Sequence, residues 1–278
     1  MKNIKLCIFD LDGTLLNSNK EITPKTISAL KNLSQNNIKY TIATGRIDIL
    51  ARKYHRQISS DLPIISCNGS IIRDLSNEIY HIETFSFEII KKIFTYFTSL
   101  NLDFLFYTEN EILITKNNPR IEFLKNYNKT AIECDRFNFK ILNNDIEKYS
   151  NHKFLKALVY MENNEELIKL QQKLVGLFEN LPIVSSDYNL LDIMPPGVNK
   201  GTALSILCDI LKIENSEVCV FGDNFNDIEM VNFAGISIVP ENGESKLKEI
   251  ATYVTKGNDD EGIAYAINEI LLKNHVGK

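Results

Sequence analysis

The sequence predicts an α/β protein, a doubly wound parallel sheet whose chain is interrupted by an α+β insertion. Three observations carry that expectation. Short, continuous β-branched runs recur at Leu6–Phe9, Tyr40–Ala43, Ile64–Cys67, Val218–Phe221 and Gly235–Val239, and uninterrupted apolar strands belong to parallel sheets buried on both faces. Amphipathic stretches separate them, so strand and helix alternate over roughly the first 80 residues and again from Lys200. Between those two tracts the pattern changes to hairpins and isolated helices, the mark of a separate α+β module.

Taken in chain order, Leu6–Phe9 is a strand closed at once by Asp10. Pro24–Asn36 follows as a helix, with Thr23 as its N-cap, Pro24 in the first helical position and Ile27, Leu30 and Leu33 on one face. Tyr40–Ala43 and Ile64–Cys67 are the next buried strands. In the middle, Phe104–Thr108 and Glu111–Lys116 read as a hairpin around Glu109-Asn110, Lys153–Met161 as a third strand and Glu165–Glu179 as a helix. Ile183–Ser186 and Leu190–Met194 form another hairpin. Helices Ala203–Leu211 and Ile228–Phe233 flank the strand Val218–Phe221, and Gly235–Val239 is the last parallel strand. The expected organisation is a core of residues 1–82 and 195–278 with an insertion of residues 83–194.

Composition narrows the functional classes. With 44% hydrophobic and 24% charged residues, the 278-residue chain has the profile of a folded soluble protein. Its formal net charge of −5 and lack of any long Lys/Arg block give no footprint for nucleic acid. The run Leu6–Phe9 is too short for a signal peptide or anchor, and nothing later reaches a membrane span, so a cytoplasmic protein is expected. Cys7, Cys67, Cys134, Cys208 and Cys219 are scattered and form no C-x-x-C, which reads as reduced thiols, most of them core filler. His55, His81, His152 and His275 show no zinc-ligand spacing. There is no G-x-S-x-G, no G-x-x-x-x-G-K-[ST] and no G-x-G-x-x-G, the signatures of serine hydrolases, Walker-type ATPases and dinucleotide enzymes.

Four constellations carry chemistry. Asp10-Leu-Asp-Gly-Thr14 leaves a buried strand at its carboxyl end, where open α/β sheets bind ligands. Two acids about 4 Å apart repel by about 4 kcal/mol at an effective dielectric near 20, so such a pair calls for a proton or a divalent cation. An EF-hand would use Asp10, Asp12 and Glu21, but Gly13 falls at loop position 4 rather than 6 and a strand stands where a helix is required. Thr44-Gly45-Arg46 closes the next strand with a hydroxyl and free N–H groups suited to a phosphate oxygen, or else simply caps a helix. Asn199-Lys200-Gly201 puts a lysine at a helix start; aimed at the acids, it would bind phosphoryl oxygens. Gly222-Asp-Asn-Phe-Asn-Asp227 again places acids after a strand, Asp223 as a metal ligand and Asp227 to orient Lys200 or a metal-bound water, unless both merely cap the helix.

The order acid pair, hydroxyl, lysine, acid pair, each at a strand end, resembles the haloacid dehalogenase-like (HAD) superfamily, with its Rossmann-like core. The large insertion, together with Ala43-Thr-Gly-Arg46, Asn68-Gly69, Gly197-Val-Asn-Lys-Gly201, Gly222 to Ile228 and Asn258-Asp-Asp-Glu-Gly262, is similar to the Cof-type branch. Val239-Pro-Glu-Asn-Gly243 departs from the Met-Gly-Asn-Ala stretch that branch often carries. The resemblance implies a Mg²⁺-dependent phosphatase acting on a small phosphorylated metabolite, a sugar phosphate or phosphorylated cofactor, with no nucleic-acid, membrane or protein partner implied. Asp10 would be the nucleophile that forms an aspartyl-phosphate, and Asp12 the acid and then the base, its carboxylate free for proton transfer. Mg²⁺ would sit on the Asp10 carboxylate, the Asp12 carbonyl and Asp223, with Asp227 behind them. Thr44 and Lys200 would clamp phosphoryl oxygens, Gly45, Arg46, Asn68, Gly69 and Asn226 would line the substrate, and the insertion would be a specificity cap. A phosphomutase of the same fold is the alternative, and a non-catalytic phospho-aspartate module a more distant one, against which Asp12 speaks.

Overall fold

A computed structural model describes residues 3–143, 145–187 and 189–274; His275 lies outside them. The chain divides into two compact units, Met1–His81 with Asn199–Lys278, and Ile82–Val198.

The first unit begins with β1 (Leu6–Phe9), α1 (Pro24–Gln35), β2 (Lys39–Ile42) and α2 (Asp48–Ile58), then β3 (Ile64–Ser66), β4 (Ile71–Arg73) and β5 (Ile79–Ile82). Thr23 caps α1 by accepting from the Thr26 N–H, with Pro24 at the first turn. The run Ile64–Cys67, expected as another parallel strand, pairs antiparallel with β4 in a three-stranded sheet β3-β4-β5. Its backbone link to the parallel strands is the Ala43–Ile65 bridge, which is itself parallel. Burial on both faces makes such a run apolar whichever way its partner points, so composition could not tell the two arrangements apart.

The second unit has its own core. Its elements are α3 (Phe87–Ser99), β6 (Asp103–Thr108), β7 (Ile112–Ile114), α4 (Pro119–Thr130), β8 (Phe139–Ile141), β9 (Phe154–Tyr160), α5 (Asn164–Leu177), β10 (Ile183–Asp187) and β11 (Leu190–Ile193). The strands form one sheet in the order β10-β11-β9-β6-β7-β8. Ile90, Ile93 and Phe97 of α3 and Leu167, Leu170 and Leu174 of α5 pack with Phe104, Phe106, Val159 and Leu191 from the strands. In the same sheet Lys156 is buried and donates to buried Asp192 at 2.9 Å.

The chain then completes the first unit with α6 (Lys200–Leu211), β12 (Val218–Phe221), α7 (Ile228–Phe233), β13 (Ile236–Pro240), α8 (Ser245–Ile250), β14 (Tyr253–Thr255), α9 (Gly262–Tyr265), a π-helical stretch Ala266–Leu271 and α10 (Leu272–Asn274). Its main sheet is parallel, in the order β14-β13-β12-β1-β2. Alternate side chains feed two cores: Cys7, Phe9, Cys219 and Phe221 pack with α1 residues Ala29, Leu30 and Leu33, while Leu6, Ile8, Val218 and Val220 pack with α6 residues Leu204 and Leu207. This is why the strands read as continuous apolar runs.

None of the five cysteines is in a disulfide, and four of them are buried. Among the described residues no helix is long and apolar enough to cross a membrane.

Candidate active site

β1 lies between β2 and β12, and the parallel register sets Phe9 opposite both Ile42 and Phe221. The residues that follow, Asp10, Thr44 and Asp223, therefore emerge side by side at the carboxyl edge of the sheet, where the strand carbonyls end and loops can bind. Lys200 reaches the same place from the first turn of α6. Asn199 caps that helix, its Oδ1 accepting from the Thr202 N–H at 2.8 Å. Gly201 lets α6 lie against α7, because a Cβ there would stand 2.6 Å from the Glu229 carbonyl carbon.

The Lys200 side chain is 0% exposed, and its ammonium donates to Asp10 Oδ1 and Asp227 Oδ1, both at 2.6 Å. Burial would strip its proton, but the two carboxylates outweigh burial and hold it charged. Asp227 is the most committed acid: Oδ2 also accepts from the backbone N–H groups of Asp223 and Asn224, at 2.9 and 3.1 Å. Asp223 Oδ1 accepts from the Thr14 hydroxyl at 2.6 Å. Burial, with Asp227 and Asp223 adding to it against Lys200, raises the Asp10 carboxyl well above its usual range. Burial, then Asp227, pushes the Asp223 carboxyl up to about 7.

Carboxylate oxygens of Asp10, Asp223 and Asp227 lie within 4.8 Å of one another. Three hard oxygen donors, two of them destabilised as anions, form the donor set a hard divalent cation takes. With Asp227 occupied by Lys200 and the loop, Asp10 and Asp223 are the carboxylates best able to hold it. Gly13 keeps that side open. It has φ +78°, and a Cβ would lie 2.3 Å from Asp223 Oδ2.

Asp12 differs from its expected state. Its carboxylate is not free: Arg46 grips it with Nε on Oδ2 and Nη2 on Oδ1, both at 2.6 Å, and Lys20 donates to Oδ1 at 2.8 Å. Burial raises this carboxyl, but the Arg46 fork and Lys20 more than reverse it, to about 2. Arg46, expected among the substrate contacts, is thus engaged by Asp12, and its guanidinium carbon lies 5.3 Å from the centre of the Tyr54 ring.

The remaining residues form a second tier. Thr44 is buried, and its hydroxyl accepts from the Arg46 N–H at 3.1 Å; it caps no helix, since α2 starts at Asp48. Asn68 is buried with φ 53°, and its Oδ1 accepts from Asn226 Nδ2 at 2.9 Å. Gly45 packs on Asn68, and Gly69 on the Asn199 carbonyl. Three sets of contacts had no counterpart in the sequence reading. Two are Thr14 on Asp223 and Lys20 on Asp12. The third comes from the stretch Val239–Gly243 that departs from the Cof pattern: Asn242 Nδ2 donates to the Gly13 carbonyl at 2.8 Å, and Asn242 Oδ1 accepts from the Asn258 N–H at 2.9 Å. Just after it, the Glu244 N–H donates to the Asp223 carbonyl at 2.8 Å. Thr14 lies two residues after Asp12, in the same short motif as the acid pair, and was the one that could have been suspected.

Known proteins bear on this arrangement. The haloacid dehalogenase-like hydrolase family matches residues 7–267. The 5-amino-6-(5-phospho-D-ribitylamino)uracil phosphatase YwtE of Bacillus subtilis is 29% identical over 283 residues, covering 96% of this chain and 98% of that protein. The crystal structure of TM0651 from Thermotoga maritima is 29% identical with a TM-score of 0.79, covering 96% of this chain and 97% of that one. A haloacid dehalogenase-like hydrolase from Bacteroides thetaiotaomicron is 26% identical with a TM-score of 0.81, covering 96% and 100%.

Proposed function

Since the chain belongs to the haloacid dehalogenase-like hydrolase family, we propose that it is a Mg²⁺-dependent phosphatase of a small phosphorylated metabolite, working through an aspartyl-phosphate on Asp10. The observation that carries this reading is the buried Lys200 ammonium on Asp10, with Asp223 beside them and Thr14 on Asp223. A carboxylate attacking a phosphate dianion needs that repulsion reduced, and a fixed ammonium does so without reorganisation. Mg²⁺ would be held by Asp10, Asp223 and the Asp12 carbonyl, and would supply charge neutralisation at the phosphoryl oxygens.

In the first half, Asp10 bonds to phosphorus as the ester P–O bond breaks, and Asp12 gives its proton to the departing oxygen. In the second, Asp12 takes a proton from the water that attacks the aspartyl-phosphate, releasing phosphate and restoring Asp10. The Asp12 carboxylate held by Arg46 and Lys20 is the base of the second half. To act as acid it must first take a proton, for which the Arg46 fork has to open. Thr44 and Lys200 would hold phosphoryl oxygens, as positioning dominates phosphoryl transfer. Ile82–Val198 would be the unit that selects the leaving group.

The test is a panel of phosphate esters with purified protein, including 5-amino-6-(5-phospho-D-ribitylamino)uracil, the compound in the relative's name. EDTA should abolish phosphate release and Mg²⁺ restore it, with Ca²⁺ a poor replacement because its larger, looser shell misplaces in-line attack. Full turnover in chelator would sink the mechanism.

A further inference from the structure

Resting on that reading, we propose that Lys20 is a positioning residue for the Asp12 carboxyl group, presented by a loop that the C-terminal turn Asn258–Glu261 clasps in place. The ammonium binds Oδ1 alone, at 2.8 Å, so Oδ1 has contacts from Lys20 and Arg46 while Oδ2 has Arg46. When the Arg46 fork opens, Lys20 remains as a contact that tethers Oδ1 and leaves Oδ2 for the chemistry.

The loop's construction supports a geometric role. Lys20 has φ 60°, a left-handed conformation uncommon for a residue with a Cβ. Its carbonyl accepts from the Tyr54 hydroxyl at 3.1 Å, and Tyr54 is the ring that backs Arg46, so one buried side chain positions both cations on Asp12. Around Lys20, the Ser18 N–H and hydroxyl donate to Asp259 at 2.7 and 2.5 Å, Asn258 Nδ2 donates to the Leu16 carbonyl at 2.9 Å, and the Thr23 hydroxyl donates to Glu261 at 2.6 Å. Yet the Lys20 side chain is 57% exposed and that of Asp12 36%. An ion pair so open to water adds little to stability, so anchoring it from both ends of the chain serves placement.

The test compares wild type, Lys20→Met, Lys20→Arg and Asp259→Asn on p-nitrophenyl phosphate and phenyl phosphate, two esters of similar shape. The poorer phenol leaving group depends more on a well-placed acid. Lys20→Met should lower kcat by roughly 30-fold on phenyl phosphate and about 3-fold on p-nitrophenyl phosphate, with KM little changed, within the span general acid catalysis covers. Lys20→Arg should recover most of the loss. Asp259→Asn should show the same split, smaller, with Lys20 itself intact. Thermal midpoints should move by no more than about 2 °C. Equal losses on both esters, or no loss, overturn the role of Lys20 while an active wild type and an inactive Asp10→Asn leave the phosphatase reading standing. A wild type inactive on every phosphate ester takes both down.

Discussion

Asp10 leaves β1 into a buried setting where it faces one ammonium and two further carboxylates. Asp12, on the far side of Leu11, meets a guanidinium fork and a second ammonium at the protein's surface. The two acids come from one turn and have the same intrinsic acidity, yet burial lifts one well above its ordinary range while two cations hold the other at about 2. The difference shows that the acidities of two carboxylates from one turn are set by their surroundings: burial with Asp227 and Asp223, against Lys200, for Asp10, and Arg46 and Lys20 for Asp12.

The largest blow to this contrast is Asp10→Asn. Turnover should fall by at least about 10³-fold, since the amide keeps the shape and loses the carboxylate proposed to attack phosphorus. Folding should hold, because an acid whose anion is disfavoured gives up little when made neutral and Lys200 keeps Asp227. Residual turnover above a few per cent, with the thermal midpoint intact, would identify Asp12 or water as the attacker. Asp12→Asn comes next, with a loss of about 10²-fold in kcat on phenyl phosphate, less on p-nitrophenyl phosphate. Equal losses on the two would argue that Asp12 only holds Arg46.

The same contrast predicts opposite pH slopes in stability. Asp223 has its folded pKa raised to about 7, so its folded form binds the extra proton, and its contribution is lost as pH rises from about 4 through 7. Asp12 contributes above its unfolded pKa, and that share is lost as pH falls from about 4 toward 2. Thermal midpoints of the metal-free protein should therefore decline between about pH 4 and 7, and Mg²⁺ should flatten the decline by binding the anions. An identical slope with and without Mg²⁺ would remove these acids as its site. The smallest effect concerns Gly13→Ala, where a positive φ and the 2.3 Å approach to Asp223 Oδ2 predict about 1–3 kcal/mol lost in denaturant unfolding, and weaker Mg²⁺ binding by calorimetry.

What the sequence disclosed follows from where information is local. Leu6–Phe9 and Val218–Phe221 announce themselves because strands buried on both faces must be apolar throughout. The residues around the site were legible for a related reason: each follows such a run. Their pairings were not. Nothing in the spacing of Asp12 and Lys20 brings an ammonium onto a carboxylate; an irregular turn with a left-handed residue does so. β14, Tyr253–Thr255, is too short to show a period, and the direction of β3 depends on a partner that composition does not record.

The sheet order β12-β1-β2 also bears on how the chain is made. β1 is synthesised early, but its neighbour on one side is separated from it by roughly 200 residues, about 10–40 s of translation at ordinary rates. Through that interval the nascent chain carries an apolar strand with an open edge, a surface for mispairing and for chaperones. The inserted unit, with its separate core, is complete on the ribosome before β12 emerges. A strand at the centre of the finished sheet is thus, during synthesis, the strand of that sheet that waits longest for a neighbour.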